Sequence, residues 1–232
     1  MLGYSTGALA PGDAPRALAR LAGTGARAVE LSALRLAEVA PLLAALPGLD
    51  LSGYAHVSVH APSRFDAREE PRLVEVLAAA IPAAWPIVLH PDTIHDARAW
   101  RPLGARVCLE NMDKRKTQGR TAAELARFFE ALPDASFCFD VGHAHQIDRT
   151  MTDAFELLDA LGVRLAELHV TEVNAAGRHD PLSRSAIAAF RKIAAWVPEG
   201  VPLIVESPAP HGIDAELALA AEAFARPRAA SS

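Results

Sequence analysis

FCFDVGHAHQ, residues 137–146, is an apolar run that stops on a carboxylate at Asp140, turns at Gly142 and then presents His143 and His145. An acid at the end of a buried strand is out of place in an ordinary core, where an unpaired charge is costly. The pattern recurs along the chain. Short β-rich runs occur at LGYST (2–6), AVELS (28–32), HVSVH (56–60), PIVLH (86–90), VCLEN (107–111), FCFD (137–140), LAELHV (165–170) and PLIVES (202–207). Between them lie Ala/Leu-rich stretches with helical spacing: 15–23, 34–46, 71–80, 121–132, 151–162, 183–197 and 215–225, with a weaker helix over 92–101. Strict alternation of strand and helix calls for parallel pairing through helical crossovers. Eight such units predict an α/β fold, a single (β/α)8 TIM barrel over 1–226, followed by a disordered C-terminal tail at 227–232.

Composition agrees with one sizeable core, since 51% of the 232 residues are hydrophobic and no linker rich in Pro, Gly or Ser marks a second domain. The formal charge of −5 provides no global basic field for wrapping a polyanion. Residues 1–10 lack a basic segment leading into an apolar one, and no run of about 18 apolar residues occurs, so a cytoplasmic location without a membrane partner is expected. Cys108 and Cys138 each stand two residues before an acid, on the same strand face, and are read as buried inert thiols.

The last residues of the expected strands are Glu30, His60, His90, Glu110, Asp140, His169 and Glu206, separated by 30, 30, 20, 30, 29 and 37 residues. In a closed parallel barrel the carboxyl ends of all strands meet on one face, so these side chains surround one axis. One polar strand end is ordinary, and Glu30 alone reads equally well as structural. Seven metal-capable ends in order are not explained by exposure. Carboxylates mixed with imidazoles suit Zn²⁺, Mn²⁺, Co²⁺ or Fe²⁺, whereas an oxygen-only cage would suit Mg²⁺ or Ca²⁺. Several carboxylates in one low-dielectric mouth raise one another's proton affinity unless cations neutralise them, which leaves room for more than one divalent metal ion.

The ordered series SVHAP, VLHPD, CLENMD, FDVGHAH, LHVTEV with GRHDP, and IVESP resembles the xylose isomerase-like barrel superfamily, which contains sugar isomerases and epimerases and an endonuclease IV branch. The resemblance runs from the first strand to the last. For the epimerases it implies one divalent metal held from strands 5 to 8, here by Glu110, Asp140, His169 and Glu206. For the endonuclease branch it implies two further metals, with His60, His90, His143 and His179 in the histidine positions. The Asp of that branch's Asp-x-His pair falls on Gly177, so the third position lacks a ligand.

Two chemistries follow from the resemblance. An isomerase or epimerase moves a proton at a carbon next to a carbonyl, with Glu110 and Glu206 as acid and base, on a small sugar or sugar phosphate. A multinuclear phosphoesterase clamps phosphoryl oxygens between metals, and only that alternative brings in nucleic acid as a partner. The negative charge, the missing third-site ligand and the short loops favour the first. A barrel that binds a sugar without catalysis would need no metal. The run DKRKTQGRT (113–121) places Lys114, Arg115, Lys116 and Arg120 after strand 5, and Arg178 precedes His179. Lys114, Arg115 and Arg178 are read as substrate anion contacts, with solvated surface charges as the plain alternative. His145 is read as facing solvent, and His56, His95 and His211 as structural; Trp85, Trp100 and Trp196 are read as packing residues. Glu167, two before His169, faces the axis and backs up a ligand if its strand is regular.

Overall fold

Strand residues alternate between two faces, and here the alternation separates an apolar shell from a polar lumen. In a computed structural model describing residues 1–226, eight strands form a closed parallel barrel: β1 (Leu2–Ser5), β2 (Ala28–Ser32), β3 (His56–His60), β4 (Ile87–Leu89), β5 (Val107–Glu110), β6 (Ser136–Asp140), β7 (Leu165–Val170) and β8 (Leu203–Val205). Each pairs with the next and β8 pairs back to β1, giving the single (β/α)8 barrel that the sequence predicts. The proposed tail, 227–232, lies outside the described residues.

Outward residues such as Val29, Leu31, Val59, Leu109, Phe137 and Phe139 join the helices in one continuous core. Each such side chain contributes roughly 1.5–3 kcal/mol by burial, so this layer carries most of the stability. In the lumen a small apolar cluster is formed by Val88, Cys108 and Cys138 with Ala166 against them. Barrel interiors are ordinarily filled with branched apolar side chains. This one instead encloses Glu30, Ser58, Glu167, Asp140 and His169, each 0% exposed.

Helix ends follow local chemistry. Asp13 caps Ala14–Leu21 by accepting from the Arg16 amide, and Thr121 caps Ala122–Ala131 by accepting from the Glu124 amide. The helix expected over 183–197 is shorter, Arg184–Phe190 capped by Ser183, with a 3-10 turn at Ala194–Trp196. The weak segment 92–101 resolves into one α turn, Ala97–Trp100, between 3-10 turns at Pro91–Thr93 and Arg101–Arg106. Trp100 is fully buried, its indole N–H donating to Glu70 Oε1 at 2.8 Å. Trp196 departs from the packing reading: it is 49% exposed, edge-on to Phe155. No helix of the described residues is long and apolar enough to cross a membrane.

Three features that position the site differ from the sequence reading. The turn expected at Gly142 is a helix, Val141–Ile147, in which Asp140 Oδ1 accepts from the His143 amide at 2.7 Å. Gly142 is needed not for left-handed backbone but because a Cβ there would run into the Thr171 carbonyl. Strand β7 carries an irregularity: Phe137 pairs with Leu165 but Cys138 with Glu167, so Ala166 is bulged out of register. Beyond β7 an antiparallel hairpin, Glu172–Val173 with His179–Asp180, brings His179 back over the mouth.

Candidate metal centre

Glu110 stands at the centre of the mouth, 1% exposed, with imidazoles on both oxygens. His60 Nε2 and His90 Nε2 each lie 3.2 Å from Oε2. His143 Nδ1 lies 3.2 Å and His169 Nδ1 3.7 Å from Oε1. His169 Nδ1 is also 3.5 Å from Glu206 Oε2, so one imidazole nitrogen is flanked by carboxylates from β5 and from the end of β8. Asn111 clamps the backbone of Asp140 from both sides, accepting from its amide at 2.8 Å and donating to its carbonyl at 2.9 Å.

The imidazoles are arranged as metal ligands are. In each of four rings one nitrogen is tied off: His60 Nδ1 to Ala61 O (2.7 Å), His143 Nδ1 to Asn111 O (2.9 Å), His179 Nδ1 to Glu206 O (3.1 Å) and His169 Nε2 to Glu167 Oε1 (3.2 Å). Deprotonated, each ring then presents its other nitrogen as a lone pair in a fixed direction. His169 Nδ1, Asp140 Oδ2, Glu30 Oε2 and His90 Nδ1 are buried without a hydrogen-bond partner, a costly condition that a bound cation would relieve at the first two. Four groups of ligand atoms lie within 4.8 Å of one another: Glu110 with Asp140 and His169, Glu30 with His169 and Glu206, His60 with His90 and Glu110, and Cys138 with Glu167 and His169; the first three offer only nitrogen and oxygen. This nitrogen and oxygen donor set fits a borderline divalent cation such as Zn²⁺, Mn²⁺ or Co²⁺.

Electrostatics points the same way. Burial works against charge on His60 and His143, but the surrounding carboxylates outweigh it and raise their pKa values to about 9 and about 10. Burial likewise opposes ionisation of Glu110, yet His90, His143, His169 and His60 hold its carboxyl well below the usual range. Asp140 and Glu206 are pushed up, chiefly by burial. His90 is pushed down by burial despite Glu110. Protons on imidazoles thus perform the neutralisation that a cation would perform. Burial raises the Cys138 thiol far above its ordinary value, and both cysteines are free and buried, in keeping with inert thiols.

A cavity of about 220 Å³ opens on this face, lined by Leu34, His60, Ser63, His90, Glu110, Asp113, Arg115, Lys116, His143, His179 and Glu206. A larger, more open groove of about 480 Å³ near residues 15–27 and 48–54 holds none of the metal-capable groups. Of the three proposed anion contacts, only Arg115 borders the cavity; Lys114 and Arg178 are exposed and do not. Arg115 is held by Asp113 (Nη2–Oδ2 2.6 Å, Nε–Oδ1 3.0 Å), and Lys116 pairs with Asp92 at 2.7 Å. Asp113, unremarked in the sequence, had only its place three residues after Glu110 as a signal. His143 and His179 converge with ring centroids 6.2 Å apart, but neither belongs to a three-ligand group among the described residues. Gly177 has φ 70°, and a Cβ there would run into the Arg115 guanidinium. His145 does not face solvent: it is 5% exposed and edge-on to Phe190.

The closed parallel barrel gathers acids and imidazoles at the carboxyl ends of its strands, the face on which barrel enzymes carry their sites. The chain belongs to the xylose isomerase-like TIM barrel family, whose model matches residues 53–226. It is similar to the structure of L-ribulose 3-epimerase at 16% identity and a TM-score of 0.56, covering 96% of this chain and 91% of that one. It is similar to D-allulose 3-epimerase from Methylomonas sp. in complex with D-allulose at 18% identity and a TM-score of 0.58, covering 94% and 87%. SacUVDE matches at 14% identity and a TM-score of 0.54, covering 84% and 79%. At these identities the likeness is one of fold. Comparison with curated protein sequences gives no match.

Proposed function

We propose that this chain is a divalent-metal-dependent isomerase or epimerase that moves a proton at a carbon next to the carbonyl of a small sugar or sugar phosphate. The observation that carries the reading is the pair of carboxylates, Glu110 and Glu206, on either side of the unpartnered His169 Nδ1 and both bordering the cavity. Glu110, Asp140, His169 and Glu206 would hold the ion, whose chemistry when bound is to stabilise negative charge on substrate oxygens. Glu110 and Glu206, on opposite sides of His169 Nδ1, suit the base and the acid on the two faces of a substrate. The cavity, about 220 Å³, is below the roughly 300–1,000 Å³ of sites for drug-sized ligands and suits a monosaccharide. Arg115 and Lys116 at its rim suit an anionic substituent. The similarity in fold to two 3-epimerases supports the same reading.

A second reading rests on the group of His60, His90 and Glu110, which offers a further ion and with it a binuclear phosphoesterase. The two separate in heavy water. Incubation of the metal-loaded protein with ketoses and their phosphates in D₂O should introduce one deuterium at the carbon beside the carbonyl. Release of phosphate or cleavage of a phosphodiester without deuterium incorporation would replace the first reading by the second.

A further inference from the structure

Below the mouth the barrel axis carries a second polar layer that the proton-transfer chemistry does not use. His56 begins β3 and is 17% exposed at its side chain, while the groups it leads to are sealed. Its Nε2 donates to Glu167 Oε2 at 2.5 Å. Glu167 Oε1 accepts from Ser58 Oγ at 3.1 Å and from His169 Nε2 at 3.2 Å. His56 and Ser58 lie on one face of β3, and the bulge at Ala166 brings Glu167 and His169 onto the facing wall. A fully buried carboxylate is tolerable only with its oxygens satisfied, and these three donors supply that. A rival acceptor is close: Glu30 Oε2 stands 3.1 Å from the same His169 Nε2, with no hydrogen-bond partner of its own. Two carboxylates therefore compete for one ring N–H, and the ring's tilt, hence the direction of Nδ1, depends on which wins.

We propose that His56 is a positioning residue for the metal centre from the opposite end of the barrel: by fixing Glu167, it makes Glu167 rather than Glu30 the acceptor for His169 and so aims Nδ1 between Glu110, Asp140 and Glu206. The inference rests on the metal-centre reading above. Outer acceptors of this kind change metal affinity by about 10–100-fold. His56 reaches no substrate and does not line the cavity, so its effect passes entirely through ligand orientation.

The test is titration of the purified, metal-free chain with Co²⁺, recording the dissociation constant and the visible absorption bands, which report ligand geometry. His56→Leu should weaken Co²⁺ binding about 10-fold or more and shift the bands. His56→Gln, which keeps an N–H within reach of Glu167, should restore most of both, and Ser58→Ala should show a smaller loss in the same direction. Wild-type affinity and bands in His56→Leu, or equal impairment in the Leu and Gln variants, would assign His56 to packing alone. Should His56→Leu fail to fold, unchanged binding in Ser58→Ala together with impaired binding in His56→Gln overturns the proposal equally. A wild-type chain that takes up no Co²⁺ would instead remove the metal centre itself, an outcome distinct from wild-type uptake with indifferent variants.

Discussion

The two flanks of Glu110 each offer a pair of histidines, yet they are built differently. On one side His60 and His90 converge with their Nε2 atoms on a single carboxylate oxygen, in a closed group of three ligand atoms. On the other, His143 and His179 approach to 6.2 Å between rings, while Gly177 leaves the third corner to the Arg115 guanidinium. Counting histidines would assign both flanks an ion. What decides is the third donor: a carboxylate on one side and a cation on the other. We propose that the first flank is the one able to take a further ion, and that the second meets an anionic or hydroxylated substrate.

The largest effect should come from the residue the flanks share. Glu110→Gln removes a bridge and a base together, and turnover should fall by about 10³-fold or more, with metal content by elemental analysis falling too. Full metal and full activity would dissolve the comparison. The flanks should then separate. His60→Ala is expected to lower metal stoichiometry, whereas His143→Ala should keep the ion count and raise KM for the sugar. Acidity provides a third, smaller separation. The raised pKa of His60, about 9, stabilises the metal-free fold fully below about pH 6.5, and that contribution is lost as pH rises through about 9. The melting temperature of the metal-free chain should therefore fall between about pH 6.5 and 9.5, and Co²⁺ should bind more tightly across the same interval because it no longer displaces a proton. The smallest effect is expected at Gly177→Asp, which places a side chain at left-handed φ and against Arg115: about 1 kcal/mol less stability and no added ion. The double variant with Arg115→Ala should gain the ion if the corner is otherwise intact.

The barrel was legible because every strand after the first ends where the apolar run meets an acid or imidazole, and because helical spacing fills every interval between strands. The four proposed ligands at the ends of β5 to β8 were visible for the same reason: strand ends in a parallel barrel need no knowledge of loops to be brought together. What lay in loops was not legible. Lys114 and Arg115 are neighbours in sequence, yet only Arg115 turns to the cavity, because Asp113 grips it. His145 reads as solvent-facing in the sequence, but a helix, not a turn, follows Asp140 and carries that ring onto Phe190. His56 looked structural because its partner Glu167 lies 111 residues away and comes into phase only through a bulge.

Asp140 divides its two oxygens between different tasks. Oδ1 holds the first turn of helix Val141–Ile147 through the His143 amide, and Oδ2 is left unpartnered beside Glu110 and His143. A cation that draws on Oδ2 competes, through one carboxylate, with a cap worth about 1 kcal/mol, which corresponds to roughly a fivefold change in the opening equilibrium of that turn. Backbone hydrogen exchange at His143 would thereby gauge whether Oδ2 is drawn to a cation, reporting from inside the protein on the state of the mouth.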